Sequence, residues 1–214
     1  MKRLFDLAIS TAVLVLTAPV CAVCAALVKL SSRGPVLYRA PRAGRRGEYF
    51  NMYKFRTMRT GLDTADRMVT DDSDDRITAV GSMLRKTKLD ELPQMFNVIR
   101  GEMSIVGPRP EDWGIVSRYY TDEQRRTLDV RPGIASYAEL RWYPDLTYHD
   151  PPAEGVSTQS WYIERHMPVQ LAESVRYIEE QSTWLDLKIL IRIAWNVIYY
   201  SFASPPKRPL GEGR

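Results

Sequence analysis

Residues 4–30, LFDLAISTAVLVLTAPVCAVCAALVKL, form a nearly continuous apolar run. At about 1.5 Å per residue, a helix of this length can cross a bilayer. Pro19 interrupts the run, and a proline removes a backbone donor and clashes with the preceding turn, so we expect a kink there. The pieces before and after Pro19 would be about 22 Å and about 16 Å long. Each piece is shorter than a hydrocarbon core of roughly 30 Å.

Basic residues flank the run on both sides: Lys2, Arg3, Lys29 and Arg33. Positive charge marks the cytoplasmic side of a membrane segment. Charge at both ends therefore predicts a re-entrant helix that is broken at Pro19 and enters and leaves by one face, over residues 1–32. A straight span and a cleaved signal peptide are the alternatives, and Asp6 inside the run counts against the signal peptide.

The composition describes one domain with an anionic partner. The chain has 214 residues, 44% of them hydrophobic, and a formal net charge of +4. A positive balance fits nucleic acid, an acidic membrane surface or a phosphorylated substrate. The two cysteines, Cys21 and Cys24, both lie in the apolar run, which argues against a disulfide-stapled secreted domain and favours simple packing residues.

The rest of the chain predicts an α+β fold that is mostly helical with a small antiparallel β element. Residues 35–39 (PVLYR) and 49–55 (YFNMYKF) read as strands around a Gly-rich basic turn. Residues 33–200 would form the domain that follows the apolar run, including a C-terminal interfacial helix, and residues 201–214 a disordered tail. The segment 136–170 mixes proline and aromatic residues with acids and is predicted to be rich in loops.

Helical patterns follow the predicted hairpin. Residues 89–101, LDELPQMFNVIRG, read as a helix with Asp90 as the N-cap and Gly101 just past its end. Residues 184–200, WLDLKILIRIAWNVIYY, are apolar nearly all round, with polar residues every fourth position at Lys188, Arg192 and Asn196. This pattern predicts an amphipathic helix at a membrane interface. A buried core helix is the alternative.

Few residue groups could carry chemistry. The sequence has no phosphate-binding glycine motif and no G-x-S-x-G elbow. His149 and His166 are too few and too isolated for a histidine metal site, and they are predicted to be loop or surface residues. The remaining candidates are the adjacent acids Asp90 and Glu91 and the arginine of the VGPRP motif, Arg109.

Each candidate has a structural and a chemical interpretation. A carboxylate at a helix start would be stabilised as an anion, so Asp90 could bind Mg²⁺ or attack phosphorus. It could also simply cap the helix. Two prolines stiffen the backbone around Arg109, which suits a preorganised fork for phosphate oxygens. A rigid turn is the alternative.

Seven segments carry a family resemblance: KRLFDL, GPVLYR, YKFRTMR, DDRIT, LRKTKLDELPQMFNVIRGEMSIVGPRPE, VRPGI and WLDLKIL. In this order they resemble the bacterial sugar transferases, which are monotopic polyprenyl-phosphate phosphoglycosyl transferases, here of the minimal catalytic-core type. The resemblance implies a magnesium-dependent enzyme on the cytoplasmic face of the bacterial inner membrane. It would move a sugar-1-phosphate from a UDP-sugar to an undecaprenyl-type polyprenyl phosphate and release UMP. The reaction would be the first membrane step of exopolysaccharide, O-antigen or other glycoconjugate synthesis.

The resemblance also implies roles for individual residues. Asp90 would be the nucleophile of a covalent aspartyl-phosphosugar intermediate and a Mg²⁺ ligand, and Glu91 would assist by positioning groups or handling a proton. Five cations would bind the substrate phosphates: Lys54, Arg56, Arg85, Arg109 and Arg131. Membrane lipid is an expected partner, nucleic acid is not, and a homo-oligomer stays open. The segment 135–170 departs from the commonest members, so the resemblance does not define the sugar. The alternative from another class is a non-catalytic protein that binds anionic lipid through the basic residues of segment 33–59.

Overall fold

The computed structural model describes residues 2–61, 74–143, 149–153 and 156–203. A long helix, α1 (Lys2–Ser31), precedes an antiparallel hairpin of β1 (Leu37–Ala43) and β2 (Tyr49–Phe55), in which Leu37 pairs with Phe55. The next elements are α2 (Ala79–Lys86), a 3₁₀ turn (Leu89–Glu91), α3 (Gln94–Arg100), β3 (Ser104–Val106), α4 (Trp113–Tyr119), a 3₁₀ turn (Gln124–Asp129), β4 (Gly133–Ala135) and α5 (Tyr137–Arg141). The last are α6 (Thr158–Trp161), a π-helical turn (Tyr162–His166), α7 (Met167–Glu180) and α8 (Thr183–Tyr200).

The mostly helical fold with a small antiparallel sheet is confirmed. The structure adds a second pair of strands, β3 and β4, which run parallel. The prediction of a loop-rich segment 136–170 is wrong in part, because α5, α6 and the π-helical turn lie in it. The predicted disordered tail, 201–214, lies outside the described residues beyond position 203, and the division into domains at 32/33 stays a prediction.

The α1 helix is continuous through Pro19. Its most apolar 18 residues have a mean hydropathy of 2.4, and little of that stretch is buried, so the helix is long and apolar enough to cross a membrane. A break at Pro19 and a re-entrant path stay predictions.

The first two turns of α1 are fixed to the folded domain by a buried carboxylate. Asp6 is 2% exposed and accepts hydrogen bonds from the Ser104 hydroxyl, at 3.0 and 2.9 Å, and from the Ile105 N–H, at 3.0 Å. A buried carboxylate is tolerated only when such donors replace water. The polar residue within the apolar run is therefore the point where α1 joins β3.

Lys2 and Arg3 reinforce this junction. The Lys2 ammonium lies 2.5 Å from the Asp186 carboxylate of α8, which also accepts a hydrogen bond of 2.7 Å from the buried hydroxyl of Tyr177. Arg3 donates to the carbonyls of Val98 and Ile99, at 2.6 and 2.8 Å, at the C-terminal end of α3. The basic residues before the apolar run therefore bind the domain itself.

The other end of α1 is also fixed to the domain. Cys24 and Val28 pack with Phe55 and Leu84 in a small buried cluster, as expected for cysteines that only fill space. The buried guanidinium of Arg56 donates to carbonyls at the C-terminal end of α1. Both ends of α1 thus contact the same domain.

Two further expectations change. His149 and His166 are buried rather than on the surface, and Nε2 of each ring contacts a backbone carbonyl. The polar stripe predicted along α8 divides, because Asn196 is turned inward while Lys188 and Arg192 are exposed. Trp184, Ile191 and other large apolar residues share their exposed side.

Replacing Asp6 by alanine tests the junction between α1 and β3. The variant leaves the Ser104 hydroxyl and the Ile105 N–H buried without an acceptor, so we expect a loss of about 2–3 kcal/mol in the free energy of unfolding. Asp6→Asn keeps one acceptor oxygen and should lose less. The measurement is thermal unfolding in detergent, followed by circular dichroism.

The matched control is Asp122→Ala, which removes an exposed carboxylate in a turn and should not change the melting temperature. Equal melting temperatures for the wild type and Asp6→Ala would contradict a stabilising role for the buried carboxylate.

Candidate active site

The two adjacent acids lie in their own short turn between α2 and α3. Leu89–Glu91 is a 3₁₀ turn that follows Lys88, whose φ of 56° places it in the left-handed region. A lysine in this conformation is strained, and such strain is concentrated at functional sites. The left-handed residue separates α2 from the acids and turns both carboxylates into the domain.

The prediction that Asp90 caps a helix is therefore wrong. The α3 helix begins at Gln94 with Pro93 in the capping position, and Asp90 makes no capping hydrogen bond. Asp90 is also buried, at 6% exposure, rather than at the surface of a helix start. Gly101 does end α3 as predicted, with a φ of 87°.

Lys54 on β2 forms an ion pair with the second acid. Its ammonium lies 2.9 Å from Glu91 Oε1, with the two side chains 22% and 16% exposed. Asn97 of α3 holds this arrangement, because its amide donates to Asn51 O at 2.7 Å and its Oδ1 accepts from Tyr53 N–H at 3.0 Å. The strand that carries the lysine is thus joined to the helix that follows the acids.

The environment separates the two acids electrostatically. Burial raises the pKa of Asp90 to about 6; the negative charge of Glu91 adds to the rise, and Lys54 opposes it. Burial also raises the pKa of Glu91, but the charges of Lys54, Lys88 and Arg109 outweigh it and lower that pKa to about 2. Glu91 is therefore the permanent anion of the pair. For Asp90, burial makes the ionised form less favourable.

Asp90 has capacity left for a ligand. Its Oδ1 is buried and has no hydrogen-bond partner within the described parts of the chain. An ionised oxygen in this state needs a cation or an electrophile near it. The described residues contain no group of three or more metal-ligating acids, histidines or cysteines. A Mg²⁺ ion would therefore take few ligands from the protein, as is usual for sites completed by water and phosphate oxygens.

Two of the five predicted phosphate-binding cations lie around the acids with Lys54. Arg85 is held by a hydrogen bond of 2.9 Å from its Nε to Thr57 Oγ1, and its charge lowers the pKa of Asp90 against the effect of burial. Arg109 lies 3.1 Å from Glu139 Oε1 and is close enough to lower the pKa of Glu91. Lys54, Arg85 and Arg109 thus share the site.

The other two predicted phosphate-binding cations, Arg56 and Arg131, contact the ends of helices. Arg56 is 5% exposed and donates to the carbonyls of Val28 and Ser32, while its Nε and Nη1 are buried without partners among the described residues. Arg131 Nε donates to Gly101 O at 2.7 Å, at the end of α3. Both contacts stabilise the frame of the site, and phosphate binding by these two residues stays a prediction.

Two glycines bring the arginine motifs together. A Cβ on Gly107 would lie 2.5 Å from Arg131 O, and one on Gly133 would lie 2.0 Å from Gly107 N. Only glycine permits such a close approach of two backbones. The VGPRP and VRPGI motifs are therefore in direct contact through β3 and β4.

Sequence reasoning missed three residues of the site: Lys88, Asn97 and Tyr143. The charge of Lys88 acts on both acids, and its positive φ has no signature in the sequence. Asn97 is fully buried in the middle of a helix, where an asparagine is unfavourable unless it makes hydrogen bonds. The occurrence of an asparagine in the middle of a predicted helix was therefore the feature of the sequence that could have identified Asn97. Tyr143 is buried near Lys88 and Glu91, and burial raises its pKa.

Comparison with known proteins matches most of the chain. The bacterial sugar transferase family matches residues 1–200 of the chain. A Komagataeibacter xylinus protein named undecaprenyl-phosphate glucose phosphotransferase is 37% identical over 195 residues, which cover 88% of this chain and 34% of that protein. A Klebsiella pneumoniae protein named UDP-glucose:undecaprenyl-phosphate glucose-1-phosphate transferase is 37% identical over 192 residues, covering 88% of this chain and 38% of that protein.

A shorter relative is matched over most of its length. The Rhizobium leguminosarum exopolysaccharide production protein PSS is 34% identical over 196 residues, which cover 89% of this chain and 91% of that protein. The chain belongs to the bacterial sugar transferase family. It spans little more than a third of the first two relatives.

The pair of Lys54 and Glu91 can be tested with a double-mutant cycle. Lys54→Met leaves a largely buried carboxylate without its cation and should lower the free energy of unfolding by about 2–3 kcal/mol. In the double variant Lys54→Met, Glu91→Gln, the carboxylate of Glu91 is removed together with its cation, so we expect a coupling energy of at least about 1 kcal/mol. Denaturant unfolding in detergent measures both quantities.

Arg176 and Glu180 provide the control cycle, since the pair has the same 2.9 Å separation but is about half exposed. Solvent screens such a pair, and we expect coupling close to zero. Additive effects at Lys54 and Glu91 would show that the carboxylate does not depend on the lysine.

Proposed function

We propose that this protein moves a sugar-1-phosphate from a UDP-sugar to an undecaprenyl-type polyprenyl phosphate and releases UMP. Family membership and the names of the relatives support this activity. The observation that carries it is the buried Oδ1 of Asp90, which has no partner among the residues that the structure describes and lies beside three cations. Such an oxygen can attack a phosphorus atom whose charge the cations neutralise.

In the first displacement, a carboxylate oxygen of Asp90 bonds to the phosphorus that bears the sugar. The bond from this phosphorus to the oxygen bridging to UMP breaks, and UMP leaves with the electron pair. Arg85, Arg109 and Lys54 stabilise the negative charge that spreads over the phosphoryl oxygens. The product is an acyl phosphate that links Asp90 to the sugar phosphate.

In the second displacement, a phosphate oxygen of the polyprenyl phosphate attacks the same phosphorus. The bond to Asp90 breaks, and the carboxylate is regenerated. Two displacements let the soluble donor and the lipid acceptor use one site in turn. Their product is a polyprenyl diphosphate sugar.

The unpartnered oxygen of Asp90 and its anionic neighbour fit a Mg²⁺ ion whose other ligands are water and the donor's phosphate oxygens. A bound Mg²⁺ would neutralise phosphate charge and make the leaving UMP a better leaving group. Glu91 has a different task, since its ion pair with Lys54 favours positioning of the lysine over proton transfer.

The membrane arrangement follows from the contacts of α1 and the exposed face of α8. The two ends of α1 contact one domain, which supports a re-entrant path, because a straight span would carry one end away from that domain. On α8, Trp184, Trp195 and Tyr199 are all more than half exposed. Tryptophan and tyrosine favour the membrane interface. The catalytic domain would lie on the cytoplasmic face, where positive flanks are retained.

The nucleophile is tested with Asp90→Asn in the full chain. The amide has the same shape but cannot form the acyl phosphate, so we expect UMP release to fall at least about a thousandfold. The assay uses a panel of UDP-sugars with undecaprenyl phosphate and Mg²⁺, and circular dichroism checks the fold.

Asp122→Asn, which removes an exposed carboxylate, is the control and should keep wild-type turnover. Near-normal UMP release by Asp90→Asn would exclude this residue as the nucleophile. Wild-type protein that releases no UMP with any sugar would favour the alternative of a non-catalytic, lipid-binding protein.

The path of α1 is tested with accessibility tags. Tags placed before Lys2 and after Arg33 should both react from the cytoplasmic side only, because a re-entrant helix returns to the face it entered. Labelling of cells with a membrane-impermeant reagent, before and after permeabilisation, measures this. Opposite accessibility of the two tags would establish a straight span.

A further inference from the structure

Two cations lie on the exposed side of α8. Lys188 and Arg192 lie one helical turn apart, and neither forms an ion pair or a hydrogen bond within the described residues. The Lys188 ammonium lies 5.3 Å from the centre of the Trp184 ring. The carboxylate of the same helix, Asp186, faces the other way and is already paired with Lys2. The two cations are therefore available to a ligand.

These cations form part of an open groove. The groove has a volume of about 700 Å³ and lies between α5 and α8. Its lining is Leu140, Lys188, Ile191, Arg192 and Trp195. The apolar members of the α8 side are more than 60% exposed. A groove with apolar walls and a few charged groups is typical of a site for an amphiphilic ligand.

The groove adjoins the active site through α5. Glu139 precedes Leu140 in that helix and forms the ion pair with Arg109, whose charge acts on Glu91. The C-terminal end of α8 reaches the same region, because Tyr200 stacks on Tyr143 with ring centres 5.5 Å apart. A ligand in the groove would thus lie alongside both elements that lead to the acids.

We propose that the groove between α5 and α8 is the entry site for the polyprenyl phosphate acceptor, where Lys188 and Arg192 hold its phosphate and Leu140, Ile191 and Trp195 contact its first isoprene units before the phosphate moves on to Asp90. This assignment rests on the proposed function. The charge favours this occupant over bulk phospholipid, since a phosphate monoester carries about −1.5 to −2 charges near neutral pH and a phosphodiester carries one. Two free cations match the monoester. The apolar walls distinguish the site from one for a soluble phosphate.

Photo-crosslinking tests occupancy without turnover. Full-length protein in phosphatidylcholine nanodiscs is irradiated with a polyprenyl phosphate that carries a photoreactive group in its first isoprene units, with no UDP-sugar present. We expect crosslinks in the α8 peptide that contains Ile191 and Trp195, and competition by unlabelled polyprenyl phosphate but not by excess phosphatidylglycerol. In the double variant Lys188→Ala, Arg192→Ala, labelling should fall about tenfold or more.

Steady-state kinetics supply the second readout. The double variant should raise the KM for polyprenyl phosphate about tenfold or more and leave the KM for the UDP-sugar unchanged. The control is Arg118→Ala, which removes an exposed positive charge of α4 that does not line the groove, and it should change neither constant. Circular dichroism confirms that both variants are folded.

The outcomes separate the two proposals. If the wild type crosslinks at α8 but releases no UMP with any UDP-sugar, the proposed activity fails and the groove stands as a polyprenyl-phosphate site. If the wild type releases UMP while crosslinks lie elsewhere and the acceptor KM of the double variant is unchanged, the groove assignment is overturned and the activity stands. Equal competition by phosphatidylglycerol would also overturn it, since the groove would then be a site for bulk anionic lipid.

Discussion

A carboxylate within an apolar helix is the constraint on which the rest of the structure depends. Asp6 can be buried only if donors surround it, and the donors are the hydroxyl and N–H of two adjacent residues, Ser104 and Ile105. This requirement fixes the start of α1 against β3. Because β3 leads directly into the VGPRP motif, the same hydrogen bonds also help to position the backbone that carries Arg109. The apolar helix and the candidate active site thus share one anchor.

The active site applies the same rule at a second place. The acids Asp90 and Glu91 are balanced by cations from four segments: Lys54 on β2, Arg85 on α2, Lys88 before the turn and Arg109 after β3. Within the described part of the chain, Glu91 has a direct partner, at 2.9 Å, whereas Oδ1 of Asp90 has none. This unequal distribution of partners stabilises one acid and leaves the other available to react. Stability is therefore lower at the position where the proposed chemistry takes place.

Local patterns predicted the elements well, and long-range contacts account for what they missed. The hairpin, the apolar helix and the glycine that ends α3 follow from side-chain alternation, hydropathy and backbone freedom, which a short segment displays by itself. The capping role of Asp90 was wrong because a left-handed Lys88 moves the helix start to Gln94. The family resemblance identified the acids and three of the cations that lie near them. It could not reveal that Arg56 and Arg131 contact helix ends, because those contacts join residues far apart in the sequence.

The pairing of Lys2 with Asp186 has a consequence for biosynthesis. The two residues are separated by 184 positions, and a ribosome adds roughly 5–20 residues per second. The first helix is therefore synthesised roughly 10–40 s before its last partner exists. During that interval Lys2 has no Asp186 to bind, and α1 must be held by its surroundings and by the earlier partners Ser104 and Ile105. Docking of α8 then completes the junction, so α1 reaches its final contacts only after α8 has been made.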